Sequence, residues 1–537
     1  MSQPEDPLSP PPKPGQKQAR PDLRIATTDG RPEVAITVKT HEVTAKMCEA
    51  LRKDPGLYQR SGELVHVIRH EAEGARATGT PGIRTVPLSW LIDRVSMHAR
   101  CIKKVEDTWK PLPPPQPRVR AVLELGQWSG IRHLEGVIEA PSLRPDGTVI
   151  QTPGYDAATR SLYVPNADFP EIPDKPTWQE AEEAYLRLAE LFKDFPYVAP
   201  EHRSATIAAI LTLLARPAIL GSVPCWLFDA SSPRSGKSLQ MDVITLIVTG
   251  RKASRMTYPE DDEELEKVLS SYALAGDRII PFDNIARAFG GAAIDKCITA
   301  TDTVDLRILG RSEKRTLPWR GVIFGSGNNV YVKGDMLPRV LAPRLESPLE
   351  NPELRDLPDL RALALERRPQ LVADALTILR AFVADGRPAQ NVPRWNGFDE
   401  WAALVPHALV WVGAPDPMGA RRGLAGDEDP TRAAETTLVR EWLRLCNNTE
   451  PRGLTVSGAL AHMYPPPRHD EEPDGWNDLR ESLEHLTAAR PGSTPASRKV
   501  GDALRRIKAR PIGGQKLVSE QDRGGIARWR VIPASGG

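Results

Sequence analysis

The stretch from Trp226 to Gly250, WLFDASSPRSGKSLQMDVITLIVTG, constrains this chain more than any other. An apolar run of strand length enters a polar loop, the loop ends Ser235-Gly236-Lys237-Ser238, and an amphipathic run of helix length leaves it. Strands and helices alternate as far as about Ser347, which predicts a parallel α/β sheet. The loop has the composition of a phosphate cradle. Glycine lets backbone N–H groups curl round an anion, lysine reaches its outer oxygens, serine holds a divalent cation, and the helix presents its positive end. Ser231 departs from the pattern, because it stands where such a cradle has its first glycine, a residue that often serves an unusual backbone angle. Taken alone, the loop also fits an ordinary strand-turn-helix connection with a capping serine.

Two later runs bear on that choice. GDRIIPFDNIARAFGG has an apolar stretch ending in Asp283, a carboxylate suited to holding Mg2+ through water, although a core strand ending in an N-capping aspartate reads the same way. WRGVIFGSGNN ends in Ser326-Gly327-Asn328-Asn329, where an amide could touch a γ phosphate and orient water, or simply form a turn. Strand-end signals in this order are harder to explain as unrelated turns.

Together, LFDASSPRSGKS, RIIPFDN, VIFGSGNN and KGDMLPRVLAPRLES resemble the AAA+ helicase-type ATPases of phages, plasmids and genomic islands, relatives of the superfamily-three and minichromosome-maintenance-like replicative helicases. The upstream LRPDGTVIQTPGYDAATRSLYV resembles the segment that precedes the ATPase in that group. The resemblance covers residues 120–535, with its motifs between 226 and 347. It implies ATP and Mg2+ as cofactors, Ser235, Gly236, Lys237 and Ser238 as the Walker A residues, and Asp283 as the Walker B carboxylate that shares the metal with Ser238. It makes Asn328 the sensor-one amide and Arg339 the arginine finger entering a neighbouring subunit's site, with Arg344 as second choice. An arginine in trans neutralises charge in the loose transition state of phosphoryl transfer and so ties hydrolysis to assembly, here into a ring expected to be a hexamer. Many members follow the Walker B Asp with a water-activating Glu, whereas this chain has Asn284. Either Asn284 orients water without taking its proton, or Glu263 or Glu264 reaches in from the preceding helix, or hydrolysis is slow.

The expected fold is multidomain α/β, an AAA+ P-loop ATPase core with a helical lid, an N-terminal α+β region and a C-terminal winged helix. Residues 1–22 are proline-rich and polar, a predicted disordered tail. An α+β domain is expected over 23–112, a linker with hairpins and helices over 113–200, the ATPase core over 201–350, the lid over 351–450 and the winged helix over 451–537. WKPLPPPQPRVR is read as a stiff connector between two units. The tail has no apolar core for a secretory signal, and no run approaches the roughly 18 apolar residues of a membrane span. The cysteines, Cys48, Cys101, Cys225, Cys297 and Cys446, are scattered without zinc or disulfide spacing, so a cytoplasmic, reducing setting is expected.

Lysine plus arginine is 71 and aspartate plus glutamate 70, so any basic surface must be local. One candidate is DTVDLRILGRSEKRTLPWRG, a hairpin whose tip is Leu309-Gly310-Arg311-Ser312. In the resembled helicases a hairpin at this place grips the nucleic-acid backbone in the ring's pore, which makes Arg307, Arg311, Lys314 and Arg315 phosphate contacts. Without that resemblance the hairpin reads as an exposed loop with solvating charges. The other candidate begins at Ser497, a possible cap for a helix facing Val500, Leu504 and Ile507 inward and Arg498, Lys499, Arg505, Arg506 and Lys508 outward. QKLVSE and ARWRVI around Asp522-Arg523-Gly524-Gly525 would form the wing. From Arg498 to Arg530 ten basic residues stand against three acidic ones, a local net of +7. Protein docking is the competing use of such a module.

These features predict an ATP-dependent DNA helicase or translocase of a mobile genetic element, acting on single-stranded or forked DNA, with a primase or another replication protein as a further partner and no membrane. The alternative is a non-unwinding AAA+ assembly switch on DNA, such as an initiator, loader or defence component. A P-loop kinase or metabolic ATPase is a third reading, disfavoured by the basic C-terminal module.

Overall fold

The computed structural model describes residues 30–71, 78–307, 314–333, 336–347, 349, 358–424, 430–464, 475–490, 492–521 and 524–534. The predicted tail over 1–22, Arg311 with its hairpin tip, and Asp522-Arg523 lie outside the described residues. The chain divides into two units, Met1–His66 with Arg84–His133, and Val67–Ile83 with Leu134–Gly537.

The first stretch of chain runs β1 (Glu33–Ala35), α1 (Thr40–Leu51), β2 (Tyr58–Arg60), β3 (Glu63–Arg69), β4 (Pro81–Thr85), α2 (Leu88–His98), β5 (Arg100–Val105), β6 (Thr108–Pro111) and α3 (Gln116–Leu123). β1 pairs parallel with β5, which pairs antiparallel with β6. Met47, Leu51, Leu91, Val95, Val119 and Val122 share one core. The proline-rich stretch is not the connector that its composition predicts. Trp109 to Pro111 end β6, and α3 buries Val119 and Val122 completely. The prolines lead into a helix whose first turn accepts Pro117, since an N–H there has no intrahelical partner to lose.

Next come β7 (Gly136–Ile138), β8 (Ser142–Leu143), β9 (Val149–Ile150), β10 (Gly154–Asp156) and β11 (Ser161–Tyr163). The predicted hairpins are present, both antiparallel: β8 pairs with β9 across Asp146-Gly147, and β10 pairs with β11, but Gly154-Tyr155-Asp156, whose residues suggest a corner, is strand β10 itself and the chain turns after it. Asp146 Oδ1 accepts from the Thr148 backbone N–H at 2.9 Å, the local bond that makes aspartate a turn former.

α4 (Trp178–Leu191) opens with a complete capping box between Thr177 and Glu180. α5 (Pro200–Ala215) is buried on every side, as befits a helix whose sequence is apolar all round. The sheet then forms from β12 (Cys225–Ala230), α6 (Lys237–Thr249), β13 (Met256–Thr257), α7 (Asp262–Ala275), β14 (Ile279–Ile285), α8 (Ala292–Ile298), the hairpin β15 (Thr303–Arg307) and β16 (Lys314–Pro318), β17 (Val322–Asn328), β18 (Val340–Leu341) and β19 (Arg344–Leu345). The strand order is β13-β14-β17-β12-β18, with β19 also on β12, and every pairing is parallel. β17 therefore lies between the loop strand β12 and the Asp283 strand β14, so the polar ends of all three converge at the sheet's carboxyl edge.

α9 (Leu360–Glu366), α10 (Arg368–Ala384) and α11 (Asp399–Trp411) pack into the sheet's own core, which holds Leu376, Phe382 and Trp401 together with Trp226, Phe228 and Phe324. α12 (Pro430–Asn448) contributes instead to a separate C-terminal core through Leu438, Trp442 and Leu445. That module adds β20 (Leu454–Thr455), α13 (Val456–Met463), α14 (Asn477–Thr487), α15 (Ser497–Ile507), β21 (Pro511–Ile512), β22 (Gln515–Gln521) and β23 (Ala527–Pro533). β22 and β23 form the predicted antiparallel hairpin. Ala496, not Ser497, is the N-cap of α15, and no side chain caps it.

Candidate active site

The loop from Ala230 to Lys237 leaves the end of β12 and enters α6 at Gly236, whose φ is +109°. A Cβ there would lie 3.0 Å from the Phe195 ring, so backbone angle and space both call for glycine. Ser231 does not have a positive φ, whereas Arg234 does, at +57°. The left-handed turn has thus moved along the loop, and serine replaces the expected first glycine without strain. Ser235 is fully buried, and its hydroxyl donates to the Ser232 carbonyl at 2.6 Å, so it shapes the loop from within. The first N–H groups of α6 point out of the helix start with no intrahelical acceptor.

Lys237 Nζ donates to Asn328 Oδ1 at 2.5 Å and to the Ser232 carbonyl at 3.1 Å. Burial pushes its pKa down, with Asp229 and Asp283 acting in the opposite direction. The sequence-predicted lysine and sensor amide are therefore in direct contact. Ser238 Oγ donates to Asp283 Oδ1 at 2.9 Å, and Ser326 Oγ donates to the same oxygen. Burial raises the Asp283 pKa, but hydrogen bonds from Ser326, Arg255 and Ser238 outweigh it and leave the carboxyl below its ordinary value.

A register shift in the β14 to β17 pairing explains how Asp283 reaches them. Phe282 faces Gly325 and Ile285 faces Gly327, so Asp283 and Asn284 together span the single residue Ser326. Such a bulge re-aims side chains at the end of a ladder. Asn284 takes φ +53°, a left-handed angle that asparagine tolerates better than most residues, and it is exposed. A Cβ on Gly327 would lie 2.8 Å from the Ile285 carbonyl oxygen, so that position needs glycine for close strand approach. Glu263 and Glu264 lie in the first turn of α7, 73% and 55% exposed, and pair with Lys267 at 3.3 and 3.5 Å. Neither has a described contact with Asp283.

Three residues that the sequence reading did not single out complete the site. Arg255, just before β13, donates to Asp283 Oδ2 at 2.7 Å and to Asp242 Oδ2 at 3.2 Å. Asp242 is wholly buried on α6 and also accepts from Arg361 of α9 at 2.8 Å. Asp229, buried in β12, pairs with Arg344 and accepts from the Val330 N–H at 3.1 Å. The available signal was a lone carboxylate in each of two apolar runs, WLFDA and LQMDVITLIV, since a buried carboxylate requires a partner.

Arg344 opens β19 beside its own loop strand β12, bound to Asp229 and, at 2.9 Å, to Asn329 Oδ1. Arg339 pairs with Asp295 of α8 and is 29% exposed. In the β15–β16 hairpin, Arg307 faces Lys314 and both are exposed, while Arg315 is partly buried. Val304, Leu306 and Leu317 anchor the hairpin in the core.

On α15, Val500, Leu504 and Ile507 are buried, and Arg498, Lys499, Arg505, Arg506 and Lys508 are exposed. The module's positive charge is smaller than the count along the chain. Arg505 pairs with Asp502, Arg510 with Glu435 at 2.5 Å, Arg528 with Glu450 at 2.6 Å, and Arg530 with Glu520. Glu435 and Glu450 lie outside the segment whose charge gave +7, which is why the count along the chain overstates it. Among the described residues Arg498, Lys499, Arg506 and Lys508 have no carboxylate partner.

The donor set fits both expected cofactors. The glycine-dependent loop, the helix start and Lys237 suit polyphosphate, and the hard oxygens of Ser238 and Asp283 suit Mg2+. The architecture defines a mixed α/β multidomain protein whose parallel sheet is consistent with an NTPase-like core. No protein-family model and no curated protein matches the chain. Among solved structures it is similar to the apo C-terminal region of NrS-1, at 11% identity and a TM-score of 0.38, covering 91% of this chain and 99% of that one. It is also similar to JCV helicase with a bound small molecule, at 15% identity and a TM-score of 0.20, covering 48% and 72%. Among the described residues no helix is long and apolar enough to cross a membrane.

Proposed function

We propose that this chain is an ATP-dependent DNA helicase or translocase of a mobile genetic element, working as a ring, expected to be a hexamer, on single-stranded or forked DNA. The observation that carries the reading is the meeting of Lys237, Ser238, Asp283, Ser326 and Asn328 at the ends of β12, β14 and β17. In this reading Lys237 exchanges Asn328 and the Ser232 carbonyl for phosphate oxygens, and the released Asn328 amide orients water. Bound through Ser238 and Asp283, Mg2+ would supply charge neutralisation across the outer phosphates. Arg344 steadies Asn329 within its own subunit, which leaves Arg339 as the arginine offered to a neighbour once Asp295 releases it. The helices α9 to α11 take the part of the lid, with Arg361 linking α9 to the buried Asp242.

DNA would meet the β15–β16 hairpin through Arg307, Arg311, Lys314 and Arg315, and a winged-helix module through Arg498, Lys499, Arg505, Arg506 and Lys508. Such interactions hold a backbone without reading sequence. A primase or other replication protein is the expected further partner.

The second reading, a non-unwinding assembly switch, is favoured by Asn284 itself: no carboxylate follows Asp283, and Glu263 and Glu264 are engaged by Lys267. ATP turnover by the wild type and Lys237→Ala, with and without single-stranded DNA, tests the motor. Turnover that DNA stimulates and the substitution abolishes supports it. Nucleotide binding without turnover or strand displacement transfers the site to the switch.

A further inference from the structure

The opposite edge of the same sheet holds a cavity of about 240 Å³, lined by Arg160, Arg216, Arg278, Arg320, Glu135 and Asp302 among others. Its walls come from the amino ends of the strands. Arg216 follows α5, Arg278 precedes β14 and Arg320 precedes β17, while Arg160 comes from the hairpin before β11. Four guanidinium groups face two carboxylates, a net charge of +2.

The two carboxylates are already engaged. Arg320 donates to Glu135 Oε2 at 3.0 Å and to Asp302 Oδ1 at 2.7 Å, and Arg160 lies 3.8 Å from Glu135 Oε1. Among the described residues Arg216, only 1% exposed, has just carbonyl partners, Ile219 at 2.6 Å and Trp319 at 3.4 Å. Its Nε is buried with no hydrogen-bond partner among them. Arg278 donates to the Leu213 carbonyl, in the last turn of α5. The partial negative charge of that helix end, roughly half an elementary charge, offsets only part of the excess. Burial lowers the pKa of Arg216 to about 9 and that of Arg278 to about 10. Glu135 and Asp302 offset the Arg216 charge, and Glu139 that of Arg278, only in part, so each cation stays short of counter-charge, and a buried donor without an acceptor adds to the cost.

We propose that this cavity binds the phosphate or diphosphate group of a small molecule, at a site separate from the Walker-type loop. Guanidinium forks match phosphate oxygens in pairs, and the net charge of the lining matches a dianion. A recess of this volume suits a free or terminal group better than a continuous nucleic-acid backbone. This inference does not depend on the motor reading, because it uses none of that site's residues.

The test is calorimetric titration of the full chain carrying Lys237→Ala, which silences the loop, with pyrophosphate alone. Expected is one-to-one binding that Arg278→Gln on the same background weakens about tenfold or more, the loss typical of a charge-assisted hydrogen bond. Glu135→Gln, which removes a competing carboxylate and leaves Arg216 and Arg278 in place, is expected to tighten binding several-fold. The proposal is overturned if Lys237→Ala binds no pyrophosphate, or if all three proteins bind it equally. Competition by a 5′-phosphorylated single strand, but not by its unphosphorylated twin, would assign the group to a nucleic-acid end and overturn the small-molecule source.

Discussion

The two edges of the parallel sheet are built from similar residues and reach different electrostatic states. At the carboxyl edge each cation meets a side-chain oxygen: Lys237 meets Asn328, Arg255 meets Asp283 and Arg344 meets Asp229. At the amino edge Arg216 and Arg278 meet only main-chain carbonyls among the described residues. The cations of the carboxyl edge are held by side chains and must exchange partners to take a ligand, whereas the amino edge holds positive charge that its own carboxylates offset only in part. A site of the first kind is suited to cycling between states. One of the second kind is suited to retaining an anion that also stabilises the fold.

Removing what the two edges share should have the largest effect. Trp226 is fully buried in β12, edge-on to Phe324 and Trp401, with its indole N–H donating to the Ala205 carbonyl at 2.8 Å. Trp226→Ala is expected to cost about 3 to 5 kcal/mol in denaturant unfolding and to weaken both edges together. If only one edge responds, the edges do not share a core.

Lys237→Ala separates them. Turnover should fall by about 100-fold or more, the usual loss when a preorganised charge-stabilising donor is removed, and the circular dichroism spectrum should be unchanged. Retained turnover would remove Lys237 from the chemistry.

Arg255→Ala sharpens the account of the carboxyl edge. The guanidinium occupies Asp283 Oδ2 and repels an incoming divalent cation. Its removal is worth about 1 kcal/mol in solvent-like surroundings, so half-activation by Mg2+ should occur at roughly fivefold lower concentration. Because Arg361 still reaches Asp242, the fold should survive, and a thermal melt in parallel checks that. A higher Mg2+ requirement would show instead that Arg255 positions the carboxylate.

The smallest effect lies off the sheet. Lys499→Ala with Arg506→Ala should leave ATP turnover without DNA intact. The salt dependence of DNA binding should flatten by about one unit of slope for each phosphate that the double variant no longer neutralises. An unchanged slope would assign the α15 face to protein docking.

Much of this arrangement was legible before any coordinates. The strand-loop-helix at Trp226–Gly250, the strands that carry Asp283 and Asn328, the inward face of α15 and the hairpin at Asp146-Gly147 follow from short-range rules, whereas the corner suggested at Gly154–Asp156 is a strand. Backbone periodicity, turn chemistry and helix-terminus electrostatics act over a few residues, so a local pattern determines them. The same logic misled at the proline-rich stretch, where composition points to a spacer but Val119 and Val122 supply a buried helix face. Packing outweighed composition there.

Only the tertiary structure decided which partners the charged residues found. Arg255 meets both Asp242 and Asp283 because β13 lies beside β14, and Arg344 meets Asp229 because β19 returns to β12. The sequence shows that buried carboxylates such as Asp229 and Asp242 need cations, since an unpaired buried charge is too costly to keep. It does not show which cation is delivered, or that among the described residues Arg216 and Arg278 hydrogen-bond only to carbonyls. Those outcomes depend on strand order and register, which bring together residues far apart in the chain.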